Sequence, residues 1–212
     1  MQNTLRSLRL EVKFLKQNLF LFAALLNERR IKVETRFQQD LPPVAVDKNL
    51  MQSVFRNLIL NAIEAMPEKG VLYLETRTLP PPQPNEAWPQ AGSRPLLATP
   101  ENHPPAATKG GQKIWQKFRR YFIVEPATPA CRVLLTKLPP EKQVMMITFR
   151  DNGCGISKEI LEQLFLPFVT TKKGGNGLGL ALSHKIIQEH HGTITVDSRE
   201  GFGTTFTILL PA

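Results

Sequence analysis

Residues 151–157 read "DNGCGIS" and follow an apolar run, "VMMITF" at 144–149, while residues 174–182 read "GGNGLGLAL" and lead into a second apolar stretch. Glycine loses more conformational freedom on ordering than any other residue, so it is placed where φ must be positive or where something approaches the main chain. Two such turns close together imply a ligand lying against backbone. The sequence around them reads as regular structure. "QVMMITFR" (143–150) has strand character, and "SKEILEQLF" (157–165) reads as helix. "GLALSHKIIQEHHG" (179–192) reads as a helix with Gly192 as its C′ stop. "TITVDS" and "TTFTILL" are strands joined by "REGFG".

Farther upstream, Leu5, Leu8, Val12, Leu15, Leu19, Phe22 and Leu26 step by threes and fours along one amphipathic helix that ends near "NERR". Two readings of that stripe stand, packing on the domain core or the tail of a coiled coil. "IKVETRF" (31–37) alternates as a strand, Asp47 is placed to cap the next helix, and "VLYLETRT" (71–78) is again a strand. Strands alternating with helices and ending in a hairpin-like pair predict an α/β fold with a mixed sheet.

The helix through "NLMQSVFRNLILNAIEAM" (49–66) is apolar on nearly every side. Asn57, Asn61 and Glu64 nevertheless share one stripe at i, i+4 and i+7. Burying an unpaired amide or carboxylate costs about 1–3 kcal/mol, so something polar must face the stripe: a ligand, or neighbouring backbone and water.

The chain has 212 residues, enough for one sizeable core with an appendage. Its longest apolar run, "LFLFAALL" (19–26), falls short of the ~20 residues that span a bilayer, which together with the lack of a leader pattern predicts a soluble, cytoplasmic protein or portion of one. The two cysteines and four histidines show no ligand spacing for zinc. The net charge is +9. Residues 79–143 carry nine Lys and Arg against four Asp and Glu, so +5 of that excess sits in one segment. Residues 80–140 also hold thirteen of the eighteen prolines, which argues against helix interiors or sheet centres there. We read one domain over 1–212 with a Pro-rich basic insertion at about 80–140. Its run "KGGQKIWQKFRRYFIV" suits contact with nucleic acid, a membrane surface or an acidic partner, or packing of its aromatics on the domain.

Three familiar phosphate grips are excluded. "GNGLGL" has its third glycine one position too early for the dinucleotide fingerprint, no Gly-Lys-Ser/Thr follows a glycine loop, and neither H-R-D nor D-F-G occurs. What remains is an ordered set: "NLILNAIEAM", "DNGCGIS", "LFLPFVTTK", "GGNGLGLAL" and "GFGTTF". In this set the chain resembles the ATP-binding domain of sensor histidine kinases. These belong to the superfamily that includes gyrase-type topoisomerases, MutL-type repair proteins and Hsp-type chaperones, and the five stretches match its N, G1, F, G2 and G3 boxes.

The resemblance implies a two-layer sandwich, with the mixed sheet covered on one face by helices and ATP between the Asn helix and the two glycine turns. It implies that Asp151 accepts from the adenine amino group, that Gly153 and Gly155 clear the base, and that Thr204 helps order a water. Asn61 would hold Mg²⁺ and Asn57 would face the phosphates. Gly175, Gly177 and Gly179 would offer backbone N–H groups to phosphate oxygens, and Lys172 or Lys173 would neutralise charge from a lid. Phe165 and Phe168 are expected to anchor that lid or a partner helix, or to pack in the core.

An amide at position 57 in place of the glutamate of gyrase-type relatives disfavours hydrolysis for its own sake. None of the four histidines begins an H-box, so the phosphoacceptor is expected on a separate dimerisation domain, with a response regulator downstream. The group that assists γ-phosphoryl transfer is not identified. Glu64 departs from the Lys or Arg common near this place in histidine kinases. Two alternatives share the boxes: an anti-sigma-factor-like serine kinase, and a non-enzymatic ATP-dependent binding module that works through its insertion.

Overall fold

A computed structural model describes residues 7–8, 12–66, 68–79, 143–172 and 175–212. The Pro-rich insertion with its basic and aromatic run, together with Leu5, His103, Cys131 and Lys173, lies outside the described residues.

Seven strands and five helices occur among them. In chain order they are β1 (Ser7–Leu8), α1 (Val12–Leu21), α2 (Ala23–Glu28), β2 (Lys32–Phe37), β3 (Val44–Ala45), α3 (Lys48–Ala65), β4 (Val71–Leu79), β5 (Val144–Asp151), α4 (Lys158–Leu161), α5 (Gly179–Glu189), β6 (Thr193–Arg199) and β7 (Gly203–Pro211). The main sheet has the order β2-β4-β5-β7-β6. Its first pair is parallel and the other three are antiparallel, which is the mixed sheet read from sequence. β1 and β3 form a separate two-stranded ribbon.

Alternation along the strands decides which face meets the helices. Leu72 and Leu74 of β4, Met145, Ile147 and Phe149 of β5, and Phe206, Ile208 and Leu210 of β7 enter one core with Met51, Val54, Phe55, Leu58, Ile59 and Ile63 of α3. Phe55 lies at its centre, 5.5 Å from the Phe149 ring and 5.6 Å from Phe14. Burying a Phe or Leu side chain is worth about 1.5–3 kcal/mol, so this cluster fixes α3 across the sheet. Leu79, Val144, Met146 and Leu209 point to the other face; they stand outside that core and are buried as well.

Asp47 caps α3 as expected, its Oδ1 accepting from Asn49 N at 2.8 Å and Leu50 N at 2.9 Å. His190 ties the same point to α5: its Nε2 accepts from Asp47 N at 2.8 Å, and its Nδ1 lies 2.7 Å from the Ile186 carbonyl oxygen.

Three expectations are corrected. The first helix is not continuous, because Phe22 leaves helical geometry between α1 and α2, and Leu8 belongs to β1, where pairing with Val44 overrides the helical period. The stripe nevertheless survives the break: Leu15 and Leu26 are buried, and Leu19 and Phe22 pack against the core partly buried. The helix read over 157–165 is only the four residues of α4, followed by turns leading to Pro167, which has no N–H to continue a helix. Finally, the left-handed residue that ends α5 is His191, at φ 57°, not Gly192. Gly192 is required for another reason, since a Cβ there would meet the Leu209 carbonyl oxygen at 2.5 Å.

Candidate functional site

The end of β5 carries the first glycine turn. Asp151 is buried, and its Oδ1 accepts from Gly153 N at 2.8 Å and Thr204 N at 3.3 Å. Burial pushes its carboxyl from the ordinary 3.8 up to about 6, because desolvation outweighs the backbone hydrogen bonds that favour the charged form. Both donors converge on one oxygen, which leaves Oδ2 as an acceptor for another group. The Thr204 hydroxyl lies 2.9 Å from Ser198 Oγ, which also donates to the Gly203 carbonyl at 3.0 Å and accepts from Ile156 N at 2.9 Å. Ser198 is thus a junction between the turn and the β6–β7 hairpin.

Each glycine of this turn has a reason inside the protein. A Cβ on Gly153 would meet the Ala65 carbonyl oxygen at 2.5 Å, and one on Gly155, at φ 70°, would run into the Arg199 carbonyl. Cys154 N donates to the Ala65 carbonyl at 2.8 Å, and Gly201 N donates to the Cys154 carbonyl at 2.6 Å. The turn is therefore sewn to the C-terminus of α3 on one side and to the hairpin on the other. Sequence reasoning assigned these glycines to clearing a base; the close approach that requires them here comes from the chain's own backbone.

The second turn, which leads into α5, is held differently. Gly177, at φ 64°, lies against the Phe168 backbone, whose N–H donates to the Gly177 carbonyl at 3.0 Å. Gly175 N donates to the Lys172 carbonyl at 3.2 Å, and Lys172 N donates to Thr170 Oγ1 at 3.1 Å. Gly179, the first residue of α5, packs on the Asn57 side chain. Phe165 stacks on His184, with centroids 4.9 Å apart and planes 22° apart, while Phe168 is 75% exposed. The two phenylalanines paired by sequence reasoning therefore have separate surroundings.

The polar stripe of α3 finds its partners here. Asn57 Nδ2 donates to Ser183 Oγ at 3.0 Å, and Ser183 Oγ donates to the Gly179 carbonyl at 2.9 Å. Asn57 is thus engaged with a side chain of α5, a partner distinct from both the ligand and the neighbouring backbone or water read from sequence. One turn along, Lys172 Nζ donates to Asn61 Oδ1 at 2.6 Å and forms an ion pair with Glu64. An amide oxygen and a carboxylate converging on a cation form a hard-oxygen donor set, so these residues fit a divalent ion that takes its remaining ligands from phosphates and water. Among the described residues no group of three or more His, Cys, Asp and Glu could hold a metal unaided.

Ser183 and Ser198 were not read from sequence. Ser183 had a signal, being a buried polar residue on an otherwise apolar helix face; Ser198, at the end of an alternating strand, had none.

Residues 117–212 match the family described as histidine kinase-, DNA gyrase B-, and HSP90-like ATPase. Sporulation kinase E of Bacillus subtilis is 26% identical over 94% of this chain and 19% of its own length. The sensory histidine kinase/phosphatase NtrB of Rhizobium meliloti is 31% identical over 87% of this chain and 36% of its own. The solved catalytic domain of histidine kinase ThkA superposes with a TM-score of 0.59 at 20% identity, over 96% of this chain and 93% of that one. ThkA has also been solved in complex with response regulator protein TrrA, with a TM-score of 0.55 at 20% identity over 95% of this chain and 40% of that one. Residues 117–212 carry the histidine kinase-, DNA gyrase B- and HSP90-like ATPase domain. The chain is an ATP-binding domain of the sensor histidine kinase kind. It spans about a fifth to a third of the length of the curated relatives it matches. Among the described residues no helix is long and apolar enough to cross a membrane.

Proposed function

We propose that the chain binds ATP with Mg²⁺ and presents the γ-phosphoryl group to a histidine on a separate dimerisation domain, within a two-component kinase whose product passes to a response regulator. The observation that carries this reading is the buried Asp151 carboxylate, which has one oxygen satisfied by backbone and stands in a turn docked on the helix that bears Asn61.

A purine whose amino group donates to Asp151 Oδ2 gives the buried charge the partner it lacks. Guanine offers a carbonyl at that place and leaves two acceptors facing each other, so ATP is preferred to GTP. Thr204, held by Ser198, lines the same end. Toward the phosphates, the N-terminus of α5 with Gly175, Gly177 and Gly179 supplies backbone N–H groups. Asn61 would hold the Mg²⁺, which neutralises phosphate charge when bound. Lys172 exchanges its contacts on α3 for phosphate oxygens. Asn57 acts through Ser183 to position α5 against α3. Positioning and charge neutralisation then make up most of the catalysis, as in other phosphoryl transfers.

The chain is read as one such domain, interrupted at about 80–140. Its place is cytoplasmic, or on the cytoplasmic side of an anchored sensor. Calorimetric titration with a non-hydrolysable ATP analogue and its GTP counterpart tests the binding step; equal affinities, or none, overturn the base-end reading. Labelled ATP supplied with a histidine-bearing domain tests the transfer, since phosphohistidine is lost in acid and phosphoserine is not.

A further inference from the structure

Lys172 reaches α3 from 111 residues away in sequence and meets two side chains one helical turn apart. Positions 61 and 64 stand at i and i+3, so their side chains share a face and converge on a single cation. That cation is the Lys172 ammonium, which donates to Asn61 Oδ1 and pairs with Glu64. It therefore sits on the same oxygen that the nucleotide-bound state would give to Mg²⁺.

We propose that Glu64 is a cation-selecting residue. It tethers Lys172 over Asn61 in the nucleotide-free domain, and the Asn61 oxygen passes to the divalent ion only when the triphosphate draws the lysine away. This rests on the ATP·Mg²⁺ reading above. Neither partner is deeply buried, with 44% of the Lys172 and 39% of the Glu64 side chain exposed. Pairs of that exposure are weak and break readily, as a tether that must release requires. A triphosphate carries more charge than one carboxylate and forms stronger charge-assisted hydrogen bonds to an ammonium, so the exchange favours release. Once the lysine has moved, Glu64 stands beside Asn61 and adds a negative oxygen to the neutral amide oxygen near the incoming ion.

The test is the rate at which an amine-reactive reagent labels Lys172, read by mass spectrometry of the full chain, with the exposed Lys158 as internal reference. The tether predicts slow labelling of Lys172 in the nucleotide-free parent. Glu64→Gln should raise the rate about two- to fivefold, the range expected for a half-exposed pair, and Glu64→Asp should restore part of the protection. Adding the magnesium complex of a non-hydrolysable ATP analogue should alter Lys172 labelling in the parent and leave a smaller change in Glu64→Gln. Equal labelling in parent and Glu64→Gln without nucleotide overturns the tether. If the parent binds the magnesium complex by calorimetry while labelling is equal, this inference falls and the ATP reading stands. If Glu64→Gln does raise labelling and no nucleotide binds, the ATP reading falls and the hand-over to a divalent ion falls with it.

Discussion

The two glycine turns look alike in sequence and are built on different principles. At the first, the atoms that exclude a side chain are backbone of the core: the Ala65 carbonyl for Gly153, the Arg199 carbonyl for Gly155 and the Asp151 carbonyl for Gly203. At the second, they belong to the loop itself or to side chains, namely Thr170 and Lys172 for Gly175, the Phe168 backbone for Gly177 and the Asn57 amide for Gly179. Backbone of a sheet and helix yields little, whereas a loop and the ends of side chains can adjust. On the proposed reading the base end of the site is thereby fixed, and the phosphate end is free to rearrange around what it binds.

The sharpest way to break this contrast is to add one methyl group to each turn. Gly155→Ala combines φ 70° with a collision at the Arg199 carbonyl, and should cost about 3 kcal/mol of stability. On a domain of this size that is a fall in Tm of roughly 6–12 °C. Gly177→Ala should cost clearly less stability while abolishing nucleotide binding. Thermal unfolding of the two variants side by side decides the matter, and an equal fall in both would remove the distinction.

The second effect in size concerns the fixed end alone. Asp151→Asn keeps an acceptor and loses the charge, and should weaken binding of an ATP analogue about 10- to 100-fold by calorimetry, the worth of a charge-assisted bond. A change below threefold would mean that the base is not held there.

The pH dependence follows from the same residue. Its carboxyl is raised from 3.8 to about 6. In that window the native state holds a proton that the unfolded chain has released. The contribution of Asp151 to ligand-free stability is therefore fully present below about pH 4 and is lost as pH rises to about 6. Nucleotide binding runs the other way, because the adenine amino group prefers the ionised form. Affinity should fall about tenfold between pH 7 and pH 5, with proton release on binding at the lower pH. Asp151→Asn should flatten that profile.

The smallest effect tests the adjustable end. Ser183→Ala removes the acceptor of Asn57 Nδ2 and should cost about 1 kcal/mol. Its mark should fall on nucleotide affinity more than on the midpoint of unfolding, since α5 is otherwise held by Ile186 and Ile187 in the core.

Much of this was legible in the chain. β4 follows a two-residue alternation, β5 and β7 are apolar runs buried on both faces, the Asp47 cap sits where a polar residue precedes an apolar helix, and the order of the five motifs led to the family. Elements shaped by distant partners were harder to read. Leu8 fits a helical stripe perfectly well, and only pairing with Val44 makes it strand. His191 takes the left-handed turn that Gly192 would accept more cheaply, because Gly192 is needed against Leu209. Glu64 was visible as the end of a polar stripe, yet its partner Lys172 comes after β4 and β5 in the chain, and no local pattern connects them. The spacing of the glycines announces a close approach without saying whether a ligand or the protein itself makes it; the approach seen at Gly153 and Gly155 is made by the protein's own backbone.

β4 and β5 lie side by side from Leu72 opposite Asp151 to Leu79 opposite Val144. Seven steps of about 3.3 Å put that last pair roughly 23 Å from the carboxylate. Whatever sequence runs between Leu79 and Val144 departs and returns through neighbouring doorways at the remote rim, and the entropy of closing such a detour grows only with the logarithm of its length. The domain thus carries a graft point at one pole and the proposed nucleotide site at the other, so new sequence can be spliced in far from Asp151.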